Sequence, residues 1–194
     1  MSRSATQIAS PPQDRLLEVL KQIVIIIAAS LFVALCAKIT IPLPFTTVPL
    51  TAQNFAVILV GLLLGSKRGF AALVLYLAEG AAGFPVFNPL GPGGIAQIIG
   101  PTGGYLMAYS IVAAAAGFLF ERGKKTFAHA VGASIFAEIL LFIGGVSWLY
   151  VATHSLAKAL HLGFYGFTPA EIIKVMFAAA IASAWARRTQ QVSQ

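Results

Sequence analysis

Long apolar runs set apart by short clusters of Lys and Arg constrain this chain more than any other feature. A bilayer's hydrocarbon core is about 30 Å thick, and about 20 helical residues rising 1.5 Å each cross it. The runs supply material for roughly five to seven such helices. Composition bears on the solvent: 58% of the residues are hydrophobic and 10% charged, whereas soluble domains run near a quarter charged. Mean hydropathy is +0.86. The chain therefore reads as one transmembrane bundle over residues 1–194, not two domains.

Charge and cysteine usage narrow the classes. The 13 Lys and Arg against 6 Asp and Glu would suit nucleic acid only if gathered on a soluble face, and here they lie between apolar runs. With Cys36 as the single cysteine, no intrachain disulfide forms. Residues 1–14 are polar, carry Pro11 and Pro12, and read as a disordered tail; a mostly polar cytoplasmic segment extends over 1–19. Val33-Ala34-Leu35-Cys36 lacks the small residue that precedes a lipidated cysteine, and no A-x-A cleavage site follows, so the first apolar stretch reads as a retained helix.

Six helices are expected: about Lys21 to Ile39, Pro49 to Gly65, Phe70 to Ala82, Thr102 to Phe120, Phe127 to Tyr150, and Pro169 to Ala186. Ser66-Lys67-Arg68-Gly69 reads as the tight turn between the second and third, and Thr102 can cap the fourth. Ten bases (Arg3, Arg15, Lys21, Lys67, Arg68, Arg122, Lys124, Lys125, Arg187, Arg188) fall on one side, Lys38 and Lys158 on the other, and Lys174 within the last helix. Because basic loops stay cytoplasmic, six helices with both termini inside satisfy every loop.

Two segments on the outer side, 40–50 with Pro42, Pro44 and Pro49, and Gly83 to Pro101, carry no charge. Irregular backbone at membrane depth is tolerated where it lines a cavity, so they read as walls or lids over an outward-facing pocket, the alternative being loops resting on headgroups. In the last helix, Thr168 and Glu171 have capping-box spacing. Lys174 lies about 9 Å inside that helix, where a lysine costs up to about 3 kcal/mol unless it snorkels or is paired. A pair with Glu171, one turn back, would make a host for a ligand. Glu79, one turn after Tyr76, either faces the same cavity or sits at the interface. Glu138, mid-helix, needs protonation or a partner across helices such as Ser134 or Tyr109. Gln53 and Asn54 open the second helix on the pocket side, as ligand contacts or as packing amides.

The absences matter as well. No G-x-x-x-x-G-K-[ST] or H-E-x-x-H pattern is present, and His129, His154 and His161 have no metal-ligand spacing. No catalytic serine or cysteine constellation stands out, so an enzyme is not expected. Small residues in helix 1, Ala29, Ser30 and Ala34, form a face for either internal packing or docking of another membrane subunit.

Ile41-Pro42-Leu43-Pro44, Val48-Pro49-Leu50-Thr51-Ala52-Gln53, Tyr76-Leu77-Ala78-Glu79-Gly80, Gly83-Phe84-Pro85-Val86-Phe87 and Gly100-Pro101-Thr102-Gly103-Gly104-Tyr105 resemble the BioY family of biotin transporters. The resemblance runs from helix 1 to helix 6. It implies an all-α, six-helix substrate-binding (S) component of an energy-coupling-factor (ECF) transporter in a prokaryotic cell membrane, working with a membrane coupling subunit and two ATPases. Biotin is then the transported ligand, with no cofactor or metal. The family's acid and lysine in helix 6 map onto Glu171 and Lys174, where the acid is usually Asp. Biotin offers ureido N–H donors, a carbonyl, an apolar body and a carboxylate; Glu171, Lys174, Glu79, Gln53, Tyr76, Phe87 and Tyr105 form the expected contact set. The alternative reading is a self-sufficient proton-coupled carrier, with Glu138, Glu171 and Lys174 as the relay.

Overall fold

The structure is a computed structural model and describes residues 12–192. It is built of α1 (Pro12–Ala37), β1 (Thr40–Ile41), β2 (Leu50–Thr51), α2 (Gln53–Ala81), α3 (Gly94–Ile98), α4 (Gly103–Arg122), α5 (Phe127–Thr153), α6 (Leu156–Leu160), a π-helical turn (His161–Tyr165) and α7 (Thr168–Val192). Five of these helices (α1, α2, α4, α5 and α7) have the length and apolarity to cross a membrane. Their outward residues are apolar, as on Leu35, Ile111, Ile143 and Phe177, which suits a bundle solvated by lipid. The fold is that of a multi-pass α-helical membrane protein.

α2 contains both the second and third expected helices. At Gly65 the backbone leaves helical geometry, with φ 83° and ψ 176°, a region open to glycine alone. Beyond it the chain runs back alongside itself: a Cβ on Gly69 would lie 3.2 Å from the Gly61 Cα, and Gln53 Nε2 donates to the Tyr76 hydroxyl at 2.5 Å. In a straight helix those two residues would be about 34 Å apart. The turn is thus made at Gly65 itself, while Ser66 to Gly69, expected as the turn, already belongs to the returning arm. α4 packs most extensively on this hairpin; a Cβ on Gly61 would strike the Ala113 carbonyl, and Gly117 meets the Gly65–Ser66 peptide.

Other boundaries shift for local reasons. α1 starts at Pro12 instead of about Lys21, proline being well suited to the first helical position; the remainder of the expected tail, residues 1–11, lies outside the described residues. Segment 40–50 is irregular as expected, but its ends are tied by a two-strand antiparallel ladder pairing Thr40 with Thr51 and Ile41 with Leu50. Thr102 makes no side-chain cap. The Thr168 hydroxyl donates to the Phe164 carbonyl at 3.0 Å, and Glu171 is engaged elsewhere, so the expected capping box does not form.

The small face of α1 is a second correction. Ala29, Ser30 and Ala34 are buried, Ser30 completely, in the interface of α1 with α2. The Ser30 hydroxyl donates to Glu79 Oε2 at 2.5 Å. Small side chains let these two helices approach within hydrogen-bonding reach, and that closeness leaves no open face for another subunit at these residues.

Candidate functional site

Three helices bring acidic and amide groups together. Asn54 stands at the start of α2, Glu138 in the middle of α5, and Glu171 in the first turn of α7. The Asn54 Nδ2 group donates to Glu138 Oε2 at 2.8 Å, to Glu138 Oε1 at 3.1 Å and to Glu171 Oε2 at 2.5 Å. Lys174 Nζ donates to Glu171 Oε1 at 2.6 Å, one turn along α7, and the pair is largely buried. With both neighbours of the Asn54 NH2 group being carboxylates, the amide orientation is fixed by its partners. Its oxygen, Oδ1, is buried without a hydrogen-bond partner, a state that costs about 1–3 kcal/mol until something fills it.

Asn54, Glu171 and Lys174 form the floor of a cleft of about 510 Å³, its mouth included, while Glu138 sits behind Asn54 and outside the lining. Gln53, Tyr105, Tyr109 and Phe142 line its sides, and Val48, Pro49, Asn88 and Thr102 bring in both irregular segments. Tyr105 is held by its hydroxyl, which donates to the Gly163 carbonyl at 2.7 Å beside the π-helical turn. The cleft is narrow: the centre of a water molecule can occupy about 50 Å³ of it. Above it lies a roomier vestibule, about 420 Å³ by the same measure, enclosed by segments 42–49 and 88–102 and sharing Pro49, Asn88 and Thr102 with the cleft. The two charge-free segments therefore do wall a pocket.

The second wall is held in place by side chains. Lys38 Nζ, at the end of α1, donates to the Pro85 carbonyl at 2.5 Å and to the Phe87 carbonyl at 2.9 Å. The Tyr76 hydroxyl donates to the Val86 carbonyl between them at 3.1 Å. Three successive carbonyls of a loop without regular structure are thus satisfied, and Asn88 follows directly, facing cleft and vestibule alike.

Of the residues expected at the site, the structure gathers Glu171, Lys174, Gln53 and Tyr105 around the cleft. Tyr76 and Phe87 sit one layer behind it, ring centroids 5.4 Å apart edge to face, with Phe87 seated against Gly80. They support the wall and do not line the cleft. Glu79 turns away to Ser30 on α1. Glu138 finds Asn54, not Ser134 or Tyr109; the Ser134 hydroxyl turns back to the Ala130 carbonyl at 2.8 Å. Asn88 carries no sequence signal beyond being an amide in a charge-free loop. Among the described residues no group of three or more His, Cys, Asp or Glu side chains could hold a metal ion.

A bundle of membrane helices enclosing a cleft with a polar floor, walled by two loops, defines a small-molecule capture protein of the membrane. Comparison with known proteins places it further: the BioY family model matches residues 4–191, and the chain belongs to that family. A protein of Thermotoga maritima named biotin transporter BioY is 36% identical over 158 residues, covering 81% of this chain and 92% of that protein. A probable biotin transporter BioY of Pyrococcus horikoshii is 39% identical over 155 residues, or 79% and 90% of the two chains. The crystal structure of the S-component for biotin from an ECF-type ABC transporter superposes with a TM-score of 0.80 at 24% identity, covering 92% of this chain and 95% of that one.

Proposed function

We propose that this chain captures biotin in the cleft as the substrate-binding component of an ATP-driven vitamin transporter, and that it is not an enzyme. The supporting observation is the floor: an unpaired amide oxygen on Asn54 beside a lysine that spends a single observed hydrogen bond on Glu171. A ureido ring matches it, its N–H groups donating to Asn54 Oδ1 and a carboxylate, and its carbonyl accepting from Lys174. The same floor disfavours the ligand's carboxylate. Two carboxyls accompany one ammonium there, so the net charge is −1 with both ionised and zero with one neutral, and no surplus positive charge exists. The valeryl tail then points away, past Tyr105 and Asn88, toward the vestibule.

The two arms of α2, the first of them shorter than the hydrocarbon layer is thick, count as two of six membrane segments in this reading. Lys67, Arg68 and Arg122 share one end of the bundle, away from the loops over the cleft, which supports cytoplasmic termini and an outward-facing site in the plasma membrane of a prokaryote. A membrane coupling subunit and two ATPases would supply the energy. The buried chain Glu138–Asn54–Glu171–Lys174 keeps a second reading open, a proton-coupled carrier, for which uptake into vesicles lacking any ATPase would be abolished by an uncoupler.

The test is binding by the purified protein. Ligand-induced stabilisation across a vitamin panel should single out biotin, since stability rises as RT ln(1 + [L]/Kd). Replacing Lys174 with Ala removes a charge-assisted bond worth about 1.5–3 kcal/mol, so calorimetric affinity should fall about ten- to a hundredfold. Unchanged affinity in a folded Lys174→Ala protein refutes the assignment.

A further inference from the structure

We infer that the vestibule is a second subsite, one that accepts amide-linked extensions of biotin, so that biotinyl-lysine is a ligand as well as the free vitamin. This rests on the biotin reading and on the tail-outward orientation derived from the floor. The vestibule is far roomier than the cleft it joins, about 420 against 50 Å³ of space for a water centre, and shares Pro49, Asn88 and Thr102 with it. A tail emerging between those residues enters it.

The lining fits a neutral amide. None of the residues around the vestibule is charged; Pro42, Leu43, Leu90 and Pro92 give it apolar walls. A carboxylate brought there has no cation to meet, whereas an amide gives up less hydration. One polar group is already waiting: Gln97 is 1% exposed, its Oε1 accepts from the Gly93 amide at 3.1 Å, and its Nε2 is buried without a partner. The Gly93 bond fixes which end of the side chain is the donor. An unpaired buried N–H group in the vestibule wall is complementary to the carbonyl of an acyl amide, and the backbone packed directly over it is that of Gly91, which carries no side chain in the way. The remaining substituent, a lysine side chain with its polar end, extends past the exposed Thr47 to the outside.

The experiment is calorimetry on the purified full chain with biotin, biotinyl-lysine and 2-iminobiotin, repeated for Thr47→Trp and, as a second obstruction on the other loop, Leu90→Trp. Biotinyl-lysine should bind within about tenfold of biotin. Either tryptophan should weaken biotinyl-lysine at least tenfold more than it weakens biotin. Iminobiotin, altered at the ring, should lose affinity in all three proteins alike. Binding of biotin with biotinyl-lysine more than a hundredfold weaker overturns the subsite, as does equal weakening of both ligands in the tryptophan variants. Failure to bind biotin at all would count against the proposed function instead.

Discussion

Among the described residues, Asn54 is the group that joins α2, α5 and α7 through hydrogen bonds, and its removal should be costly in a way that a second substitution partly repairs. Asn54→Leu takes a donor from Glu138, for which Asn54 is the partner found among the described residues, and another from Glu171. Hydrogen bonds to charged groups contribute about 1.5–3 kcal/mol each, so two lost bonds imply about 3–6 kcal/mol, in line with the roughly 3–5 kcal/mol seen when a buried charge loses its partner. Glu171 keeps Lys174, which places most of the penalty on Glu138. Adding Glu138→Leu removes that stranded carboxyl, and replacing both partners by apolar groups is close to neutral for their mutual bond. The double variant should therefore recover about half of the loss. Equilibrium unfolding of ligand-free protein in mixed micelles measures this directly. A double variant less stable than Asn54→Leu alone would show that Glu138 has other stabilising partners and that the three-helix joint is wrongly drawn.

On a Cys36→Ala background, an impermeant thiol reagent applied to intact cells should label a cysteine at position 158 and spare positions 67 and 124; the opposite pattern reverses the orientation. Lys38→Met releases the Pro85 and Phe87 carbonyls. Amide exchange over 85–88 should speed up and biotin affinity fall by about tenfold, roughly one charge-assisted bond's worth, while unchanged exchange would show that the loop holds its shape without the lysine. Gly65→Ala forces a side chain into a conformation reserved for glycine and against the Glu121 side chain; a loss of about 1–3 kcal/mol in unfolding free energy is expected, and an unaffected midpoint would contradict the hairpin.

Hydropathy and basic clusters located the helices well because the bilayer imposes length and charge rules on single segments. Contacts between segments were harder to read. Asn54, Glu138 and Glu171 are 84 and 117 residues apart along the chain from Asn54, and no spacing rule encodes such a meeting; the sequence showed only that Glu138 needed a partner. Glu79 illustrates the limit of helical phase. Three residues from Tyr76, it is rotated about 60° from it, and in a tightly packed hairpin that angle separates the neighbour arm, where Tyr76 points, from α1. The Ala29, Ser30 and Ala34 stripe was legible as a close-approach surface, but small residues do not say which helix approaches.

The turn at Gly65 also sets the depth of the ligand chamber. From that turn back to Gln53 the first arm of α2 has 12 residues and rises only about 18 Å, against a hydrocarbon layer of about 30 Å. The arm falls roughly 12 Å short of that thickness, with Asn54 near its tip, and the missing two turns or so leave room for the cleft and vestibule. A truncated helix thus makes a well in the membrane whose bottom is a helix end and whose sides are the full-length helices around it. Lengthening the arm by a single turn would raise the floor by about 5.4 Å, into the space the ligand needs.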